Sequence, residues 1–518
     1  MGNAAANPYD EVAYPGHAFA QTHPARLATI AHAHGMTCAP CAGMHVLELG
    51  CGHGANLVPM AAQHPTARFV GVDLSARAID QARRMAAELG LANIAFEHRD
   101  IMAVSPDLGR FDYIIVHGVY SWVPEAVRER ILAIFGGMLT PRGVAYLSYN
   151  ALPGGRLRDL ARDVMLHATR EIADPAARVA AARLALKSAA EASDPDSFHG
   201  AALRMRLTQI DGIPDNVLIH DDLNPLARSF ALHEVIADAR KHGLQFLSEA
   251  SFPTQFGAVG SPILKALEHI PSDRPVEREQ GFDLLTGRLF RETLLCRADI
   301  GLNWSVGNFT LGDYHLSAAV RPAQDRDDDR PGVEQFEFMK GVKLAVDLPQ
   351  AKTALRRMGA ASPGAIAHDV LVAQALGDAA GEVGPDPARE QARLDEALTV
   401  MFRAGLVEIH REPPLLTTVV GERPLASPVA RWQARNGEVV TDLRHRAVRL
   451  NGGMMRRFLC LLDGSRDEAA LLADMNAFVA AARAADADAD ADELPERVTA
   501  AEISAHLREM AGLALLCG

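Results

Sequence analysis

The sequence predicts an α/β fold. Its N-terminal part is a mostly parallel sheet covered by helices on both faces, and helical and α+β modules follow. Three observations lead there. Short apolar runs recur between residues 44 and 149: MHVLEL, FVGVD, IAFEH, FDYIIVH and GVAYLSY. Helix-forming segments lie between them, and strands apolar on both faces belong to sheets covered on both sides. A glycine cluster follows the first run, where a parallel sheet hands its chain to a helix.

The elements follow in order. The run at 44–49 enters the glycines, and 55–63 can form a helix. FVGVD at 69–73 is β-rich. Ser75 is placed to cap a helix through Leu89, with Ile79, Ala82, Ala86 and Leu89 on one face and Gly90 as its stop. Strands at 94–98, 111–117 and 143–149 come next, with a helix at 128–138 between the last two. After Pro153, residues 156–210 are rich in Ala, Arg and Leu at helical spacing, and 221–250 reads as a further helical segment. RPAQDRDDDRPG at 321–332 reads as a loop or linker, and 333–420 as short strands mixed with helices. The unit from 421 onward carries helices at 453–462, 467–481 and 499–511 and an acidic, low-complexity loop at 481–496.

Composition bounds the function. The chain has 518 residues, is 48% hydrophobic, and carries 52 basic against 65 acidic residues, a net charge of −13. It can bury large cores, which excludes global disorder. A broad grip on nucleic acid needs clustered Lys and Arg, so nucleic acid is disfavoured as a partner. No run of about 18 apolar residues occurs, so membrane insertion is not expected. The N-terminus lacks the pattern of a secretory signal, and Ala6 stands where a myristoylation motif wants Ser or Thr. Six scattered cysteines make no disulfide scaffold. The expectation is a soluble cytoplasmic protein.

The segment Val46-Leu47-Glu48-Leu49-Gly50-Cys51-Gly52-His53-Gly54 carries the chemistry. Glycines there permit tight turning and close approach of backbone to a ligand. Their spacing is GxGxG rather than the GxGxxG of dinucleotide folds, and Glu48 precedes them by two residues. A carboxylate there repels a pyrophosphate and suits an ammonium group. Asp73 ends the second strand, where a carboxylate can accept from both ribose hydroxyls. Asp100 follows the third strand and can accept from an adenine amino group.

Ammonium, ribose and adenine together describe S-adenosylmethionine, and VLELGCGHG with FVGVDLS and EHRDI resembles the class I methyltransferases. The resemblance implies a Rossmann-like class I sheet with Glu48, Gly50 and Gly52 at the methionine end of the cofactor. It gives Asp73, with Leu74 beside it, to the ribose, and Asp100 and Ile101 to the base. The stretches NPYDEVAYP…FAQTHP (7–24), HGVYSWVP (117–124) and SYNALPG (148–154) narrow it. They resemble a bacterial subgroup carrying a methyltransferase regulatory domain, which includes protein-lysine methyltransferases of rickettsial type. Residues 1–170 are then the methyltransferase domain, 171–320 the helical regulatory domain, 333–420 an α+β middle domain, and 421–518 a winged-helix-like domain.

The resemblance further implies an N-terminal segment over the cofactor cleft, with Tyr14 and Gln21 as cofactor contacts. The acceptor it points to is a protein lysine, and it leaves a homodimer open. The alternatives are a small-molecule methyltransferase, or a cofactor-binding regulatory or scaffold protein without turnover. Ligands bind at the carboxyl ends of strands in open parallel sheets. That places His117, Tyr120, Trp122 and Tyr149 at the acceptor, where aromatic faces can meet an alkylammonium. His117 can act as a base or as a hydrogen-bonding wall, and can also touch the cofactor. His32, His34, Cys38, Cys41 and His45 have no second CxxC, so no metal is expected. Arg444, Arg446, Arg449, Arg456 and Arg457 of the last unit can meet DNA or protein, and the acidic segment beside them favours protein.

Overall fold

The computed structural model describes residues 16–251, 262–304, 310–324, 330–339, 341–485 and 495–517. These form two compact units. The first holds residues 16–17, 30–251 and 262–304, and the second holds 18–29 and the described residues from 310 onward.

The first unit is built on seven strands: β1 (His45–Leu49), β2 (Arg68–Asp73), β3 (Ile94–His98), β4 (Phe111–Val116), β5 (Leu139–Asn150), β6 (Leu244–Glu249) and β7 (Phe290–Arg297). Their order is β3-β2-β1-β4-β5-β7-β6. The first five run parallel, and β7 pairs antiparallel with both β5 and β6. The order reverses between β1 and β4, which opens a crevice at the carboxyl ends of those strands. Val46, Leu47, Leu49, Tyr113, Ile114, Ile115 and Val116 are all buried, as strands covered on both faces require. The expected helix after β2 forms at Ala76–Glu88, with the Ser75 side chain accepting from the Ala78 N–H and Ile79, Ala82, Met85 and Ala86 buried.

The expected helical stretch at 156–210 is three helices, Gly155–Thr169, Pro175–Ala192 and Phe198–Ile210. Beyond it the structure departs from the sequence reading. Residues 221–250 are not one helical segment. The helix Leu232–Lys241 stops at Gly243, whose φ is +71°, and β6 follows. The sheet therefore runs through the boundary expected at residue 170, because β6 and β7 complete it. Arg291 of β7 is fully buried. Its guanidinium donates to Asp283 at 2.7 and 2.9 Å, to Glu279 at 3.0 Å, and to Glu249. Arg288 adds a second cation on Asp283 at 3.0 Å. This cluster ties β6, β7 and the helix Pro275–Thr286 together.

In the second unit, Glu334–Phe338 pairs with Val320–Pro322 and Lys343–Val346, so part of the expected linker at 321–332 is strand; 325–329 lie outside the described residues. The helices Pro349–Ala361, His368–Asp378 and Pro387–Arg403 follow. The C-terminal part has the helices Pro428–Asn436, Gly452–Leu461, Glu468–Ala485 and Ala500–Gly512, and a hairpin, Val439–Thr441 with Ala447–Arg449. Their own core includes Phe458, Leu471, Leu507 and Leu515. Helices beside a two-stranded wing give the winged-helix form, and 486–494 lie outside the described residues.

Candidate active site

The glycine turn lies at the carboxyl end of β1. The N–H groups of Gly50 and Cys51 donate to the Val72 carbonyl at 2.8 and 3.1 Å, which clamps the turn onto the end of β2. Gly50, Gly52 and Gly54 have φ of +76°, +53° and +79°, the left-handed region that glycine enters without strain. A Cβ on Gly50 would meet Val119 at 2.5 Å and one on Gly54 would meet Phe96 at 2.8 Å, so both are small for the protein's own packing. A Cβ on Gly52 would meet nothing within 4 Å. Among the described residues nothing fills that side of Gly52, so a ligand can approach the backbone there.

Glu48 projects from β1 beneath this turn and is 4% exposed. Oε1 accepts from Asn56 Nδ2 at 2.8 Å, and Oε2 is buried without a hydrogen-bond partner among the described residues. Burial, opposed by the Asn56 hydrogen bond and reinforced by the Asp73 charge, pushes its pKa up to about 7. Asp73 spans two turns: Oδ2 accepts from the Gly52 N–H and Oδ1 from the Ser75 N–H, both at 2.8 Å. Asp100 accepts from the Met102 N–H at 2.9 Å and is exposed. Leu74 and Met102, on loops leaving the neighbouring strands β2 and β3, are 54% and 47% exposed. Apolar side chains beside a carboxylate suit a flat base with an amino group. Gly16 lies directly against the His53 ring: a Cβ there would meet it at 2.4 Å. The chain before the sheet thus covers the glycine turn at this point.

These residues fit S-adenosylmethionine on their own chemistry. An orphaned buried carboxylate oxygen calls for a cation, an open glycine backbone for close approach, and a strand-end carboxylate for hydroxyls.

The acceptor candidates divide. His117 is half-buried at the end of β4, and burial holds its pKa down at about 4, so the ring is neutral at pH 7. Its Nδ1 lies 3.0 Å from Tyr146 Oη, and its ring packs edge-to-face with Phe290, the centroids 6.1 Å apart. Tyr120 and Tyr149 belong to the core instead, at 2% and 1% exposure. Both pack on Phe230, and Tyr149 Oη is 3.0 Å from Thr293 Oγ1. Tyr149 lies on the opposite face of β5 from Tyr146, and all three tyrosines are buried, so none of them lines an open channel. Trp122 is half-buried with the Arg158 guanidinium 5.6 Å over its ring, which gives that aromatic a cation from within the chain. Tyr14 lies outside the described residues, and Gln21 belongs to the second unit.

His34 is held by Ser248 Oγ and the Asn303 carbonyl, each at 3.0 Å, and burial pushes the Cys38 thiol up to about 12. Among the described residues no group of three or more His, Cys, Asp and Glu is arranged to hold a metal. In the winged helix, Arg444 pairs with Glu408, Arg446 with Asp442 at 2.8 Å and Arg449 with Glu438 at 2.8 Å. Sequence reasoning missed Asn56 as the partner of Glu48, and Tyr146 and Phe290 as neighbours of His117. Tyr146 sat inside a correctly read strand, and the alternation of β5 could have placed it with Ser148 on His117's face.

Comparison with known proteins agrees with this geometry. Residues 46–143 match the model of a methyltransferase domain, 214–297 that of a predicted methyltransferase regulatory domain, and 422–514 that of a PKMT C-terminal winged-helix domain. The uncharacterized protein RP789 of Rickettsia prowazekii is 31% identical over 483 residues, spanning 90% of this chain and 85% of its own. A second protein of that organism, RP028, is 30% identical over 240 residues, 46% of this chain and 96% of its own. The solved structure of PKMT2 from Rickettsia typhi shares the fold over 98% of this chain and 100% of its own, with a TM-score of 0.85 at 23% identity. Its complex with AdoHcy gives 0.83 over the same shares of the two chains. No described helix is long and apolar enough to cross a membrane.

Proposed function

The chain belongs to the class I S-adenosylmethionine-dependent methyltransferases that carry a regulatory domain and a PKMT winged helix, and from that premise we propose that it methylates lysine side chains of a protein. The observation that carries the cofactor site is the buried, unpartnered Oε2 of Glu48 beside the open Gly52. The PKMT winged helix and the full-length likeness to PKMT2 support the lysine acceptor.

When bound, S-adenosylmethionine supplies a methyl group on a sulfonium, open to in-line displacement. Glu48 would hold the ammonium, Gly50 turns the chain so that the backbone at Gly52 can close on the methionine end, Asp73 would take the ribose, and Asp100 with Leu74 and Ile101 the base. Only a neutral amine attacks, and free lysine near neutral pH is almost wholly charged. The half-buried His117 and the exposed Phe290 make a wall of neutral rings, which disfavours the ammonium and lowers the lysine pKa. A histidine with a pKa of about 4 is a poor base, so the wall positions the amine and water carries off its proton.

The test is transfer of tritiated methyl from S-adenosylmethionine to lysate protein, followed by mass spectrometry of the labelled residue. Label on lysine supports the reading. Label confined to carboxylates or small molecules overturns the acceptor and leaves the methyltransferase in place.

A further inference from the structure

The winged-helix domain carries a group of arginines that its own carboxylates leave alone. Its first two helices, Pro428–Asn436 and Gly452–Leu461, run antiparallel, because the chain clamps them at both ends. Leu425 bridges Asp463 just outside one end, and the Leu450 N–H donates to the Glu438 carbonyl at 2.7 Å just outside the other. Between the clamps, Cys460 Sγ donates to the Arg431 carbonyl at 3.6 Å. One turn forward from Arg431 stands Arg435, and one turn back from Cys460 stands Arg456. In an antiparallel pair those two turns run alongside each other. Arg431, Arg435 and Arg456 therefore gather along the line where the helices meet, with Arg457 next in sequence.

Neither helix contains an Asp or a Glu. Among the described residues none of the four guanidinium groups has an ion-pair partner, and Nε of Arg431 and of Arg456 are buried there without a hydrogen-bond acceptor. Arg435 and Arg457 are exposed, and Arg457 lies 5.9 Å over the Phe478 ring. The hairpin between the helices is different. Its Arg444, Arg446 and Arg449 are held by Glu408, Asp442 and Glu438. The wing is thus neutralised from within the chain, and the helix pair is not. Adjoining like charges repel one another, and a carboxylate placed among them turns that repulsion into attraction.

We propose that this arginine face docks an acidic segment of the protein that is methylated. The proposal rests on the reading of the acceptor as a protein. A guanidinium takes a carboxylate through two parallel N–H groups, so four of them suit a short run of Asp and Glu. The observations favour a polypeptide over nucleic acid. A grip on a duplex needs a longer track of cations, the wing has spent its own on carboxylates, and the net charge of −13 opposes a long polyanion. Met454 and Met455, half-buried on the second helix, add apolar contact that side chains of a polypeptide can use. Docking here supplies affinity for the acceptor protein apart from the methyl-transfer site, so the choice of protein and the choice of lysine are made by different parts of the chain.

The experiment reads fluorescence anisotropy of short labelled poly-L-glutamate, and of double-stranded DNA of matched charge, with the full-length protein. It uses wild type, the double variant Arg435→Glu/Arg457→Glu, and a control, Arg84→Glu/Arg389→Glu, which makes the same change in net charge at exposed positions elsewhere. Both arginines of the test pair are exposed, so the fold should survive, and thermal unfolding checks it. Wild type should bind polyglutamate, more weakly as salt rises, and bind the DNA at least about tenfold less tightly. The test variant should bind polyglutamate at least about tenfold more weakly, because each reversal replaces attraction by repulsion. The control should stay within about twofold of wild type. Tritium transfer to lysate protein should fall in the test variant, while calorimetric cofactor affinity stays within about twofold, because the glycine turn is untouched. A wild type that ignores polyglutamate overturns the proposal, the result expected if another copy of the chain or its own acidic residues 486–496 occupy the face. DNA bound more tightly than polyglutamate overturns the partner, and equal losses in test and control variants overturn the site. Undiminished transfer in the test variant overturns the link to the acceptor. Label found only on small molecules would defeat the acceptor reading, and the anisotropy would still decide whether the face binds acidic chains.

Discussion

Glu48 offers a test in which stability and binding move in opposite directions. Without cofactor, its carboxyl is buried, bonded once to Asn56, and titrates at about 7 instead of 4.5. A carboxyl whose pKa rises on folding stabilises the protein fully below the unfolded value. That stability is lost as pH climbs through the folded value, here between about 4.5 and about 7. The cost at pH 8 is about 3 kcal/mol, on the scale of about 1.4 kcal/mol per pH unit. An ammonium at Oε2 reverses the account, because it binds the ionised form. At pH 6 only about one free molecule in ten is ionised at this site, so Kd for S-adenosylmethionine should be about tenfold weaker than at pH 8.

Glu48→Gln separates the two effects. The free variant should be more stable than wild type at pH 8 by about 1–3 kcal/mol, with the gain fading toward pH 5. It should bind cofactor more weakly by about 1–3 kcal/mol at pH 8, and its Kd should hardly change between pH 6 and 8. Calorimetry in buffers of different ionisation enthalpy reads the proton released on binding, and thermal unfolding of the free proteins reads the stability. Wild-type affinity that is flat from pH 6 to 8, or a variant with the wild-type slope, would refute the assignment of Glu48 to the ammonium.

Other perturbations probe other parts. Gly52→Val fills the open side of a turn with φ +53°, so cofactor Kd should rise at least about tenfold, and strain should cost about 1–3 kcal/mol of stability; calorimetry and thermal unfolding read both. Arg291→Met leaves the carboxylates of Glu249, Glu279 and Asp283 without their central cation and should destabilise the first unit by about 3–5 kcal/mol, read by denaturant unfolding. A fragment of residues 1–165 lacks β6 and β7 and leaves β5 as a bare edge, so it should aggregate or fail to bind cofactor. A soluble fragment with wild-type Kd would show that the antiparallel pair is dispensable.

What could be read from the sequence was local. The strands β1 to β5, the Ser75 cap with Gly90 as its stop, and the Glu48, Gly52 and Asp73 group lie within about 100 residues, each on a short motif whose physics is self-contained. What was missed depends on pairings distant in sequence. FRETLLCR looks unlike a buried strand because Arg291 breaks its apolar run; only Glu249, 42 residues earlier, and the carboxylates of the preceding helix make that burial tolerable. Tyr149 was read toward the acceptor and is instead buried against Phe230 for the same reason. The strand was correct, but which of its faces meets His117 is fixed by the register against β4 and β7. A one-residue slip would exchange the faces of Tyr149, now against Phe230, and Tyr146, now beside His117, so that contact is specified by the partner strands as much as by the motif that announces it. Glu292 follows the same logic: it shares a face of the sheet with Tyr146 because Ser148 stands opposite it, a pairing across 144 positions of chain.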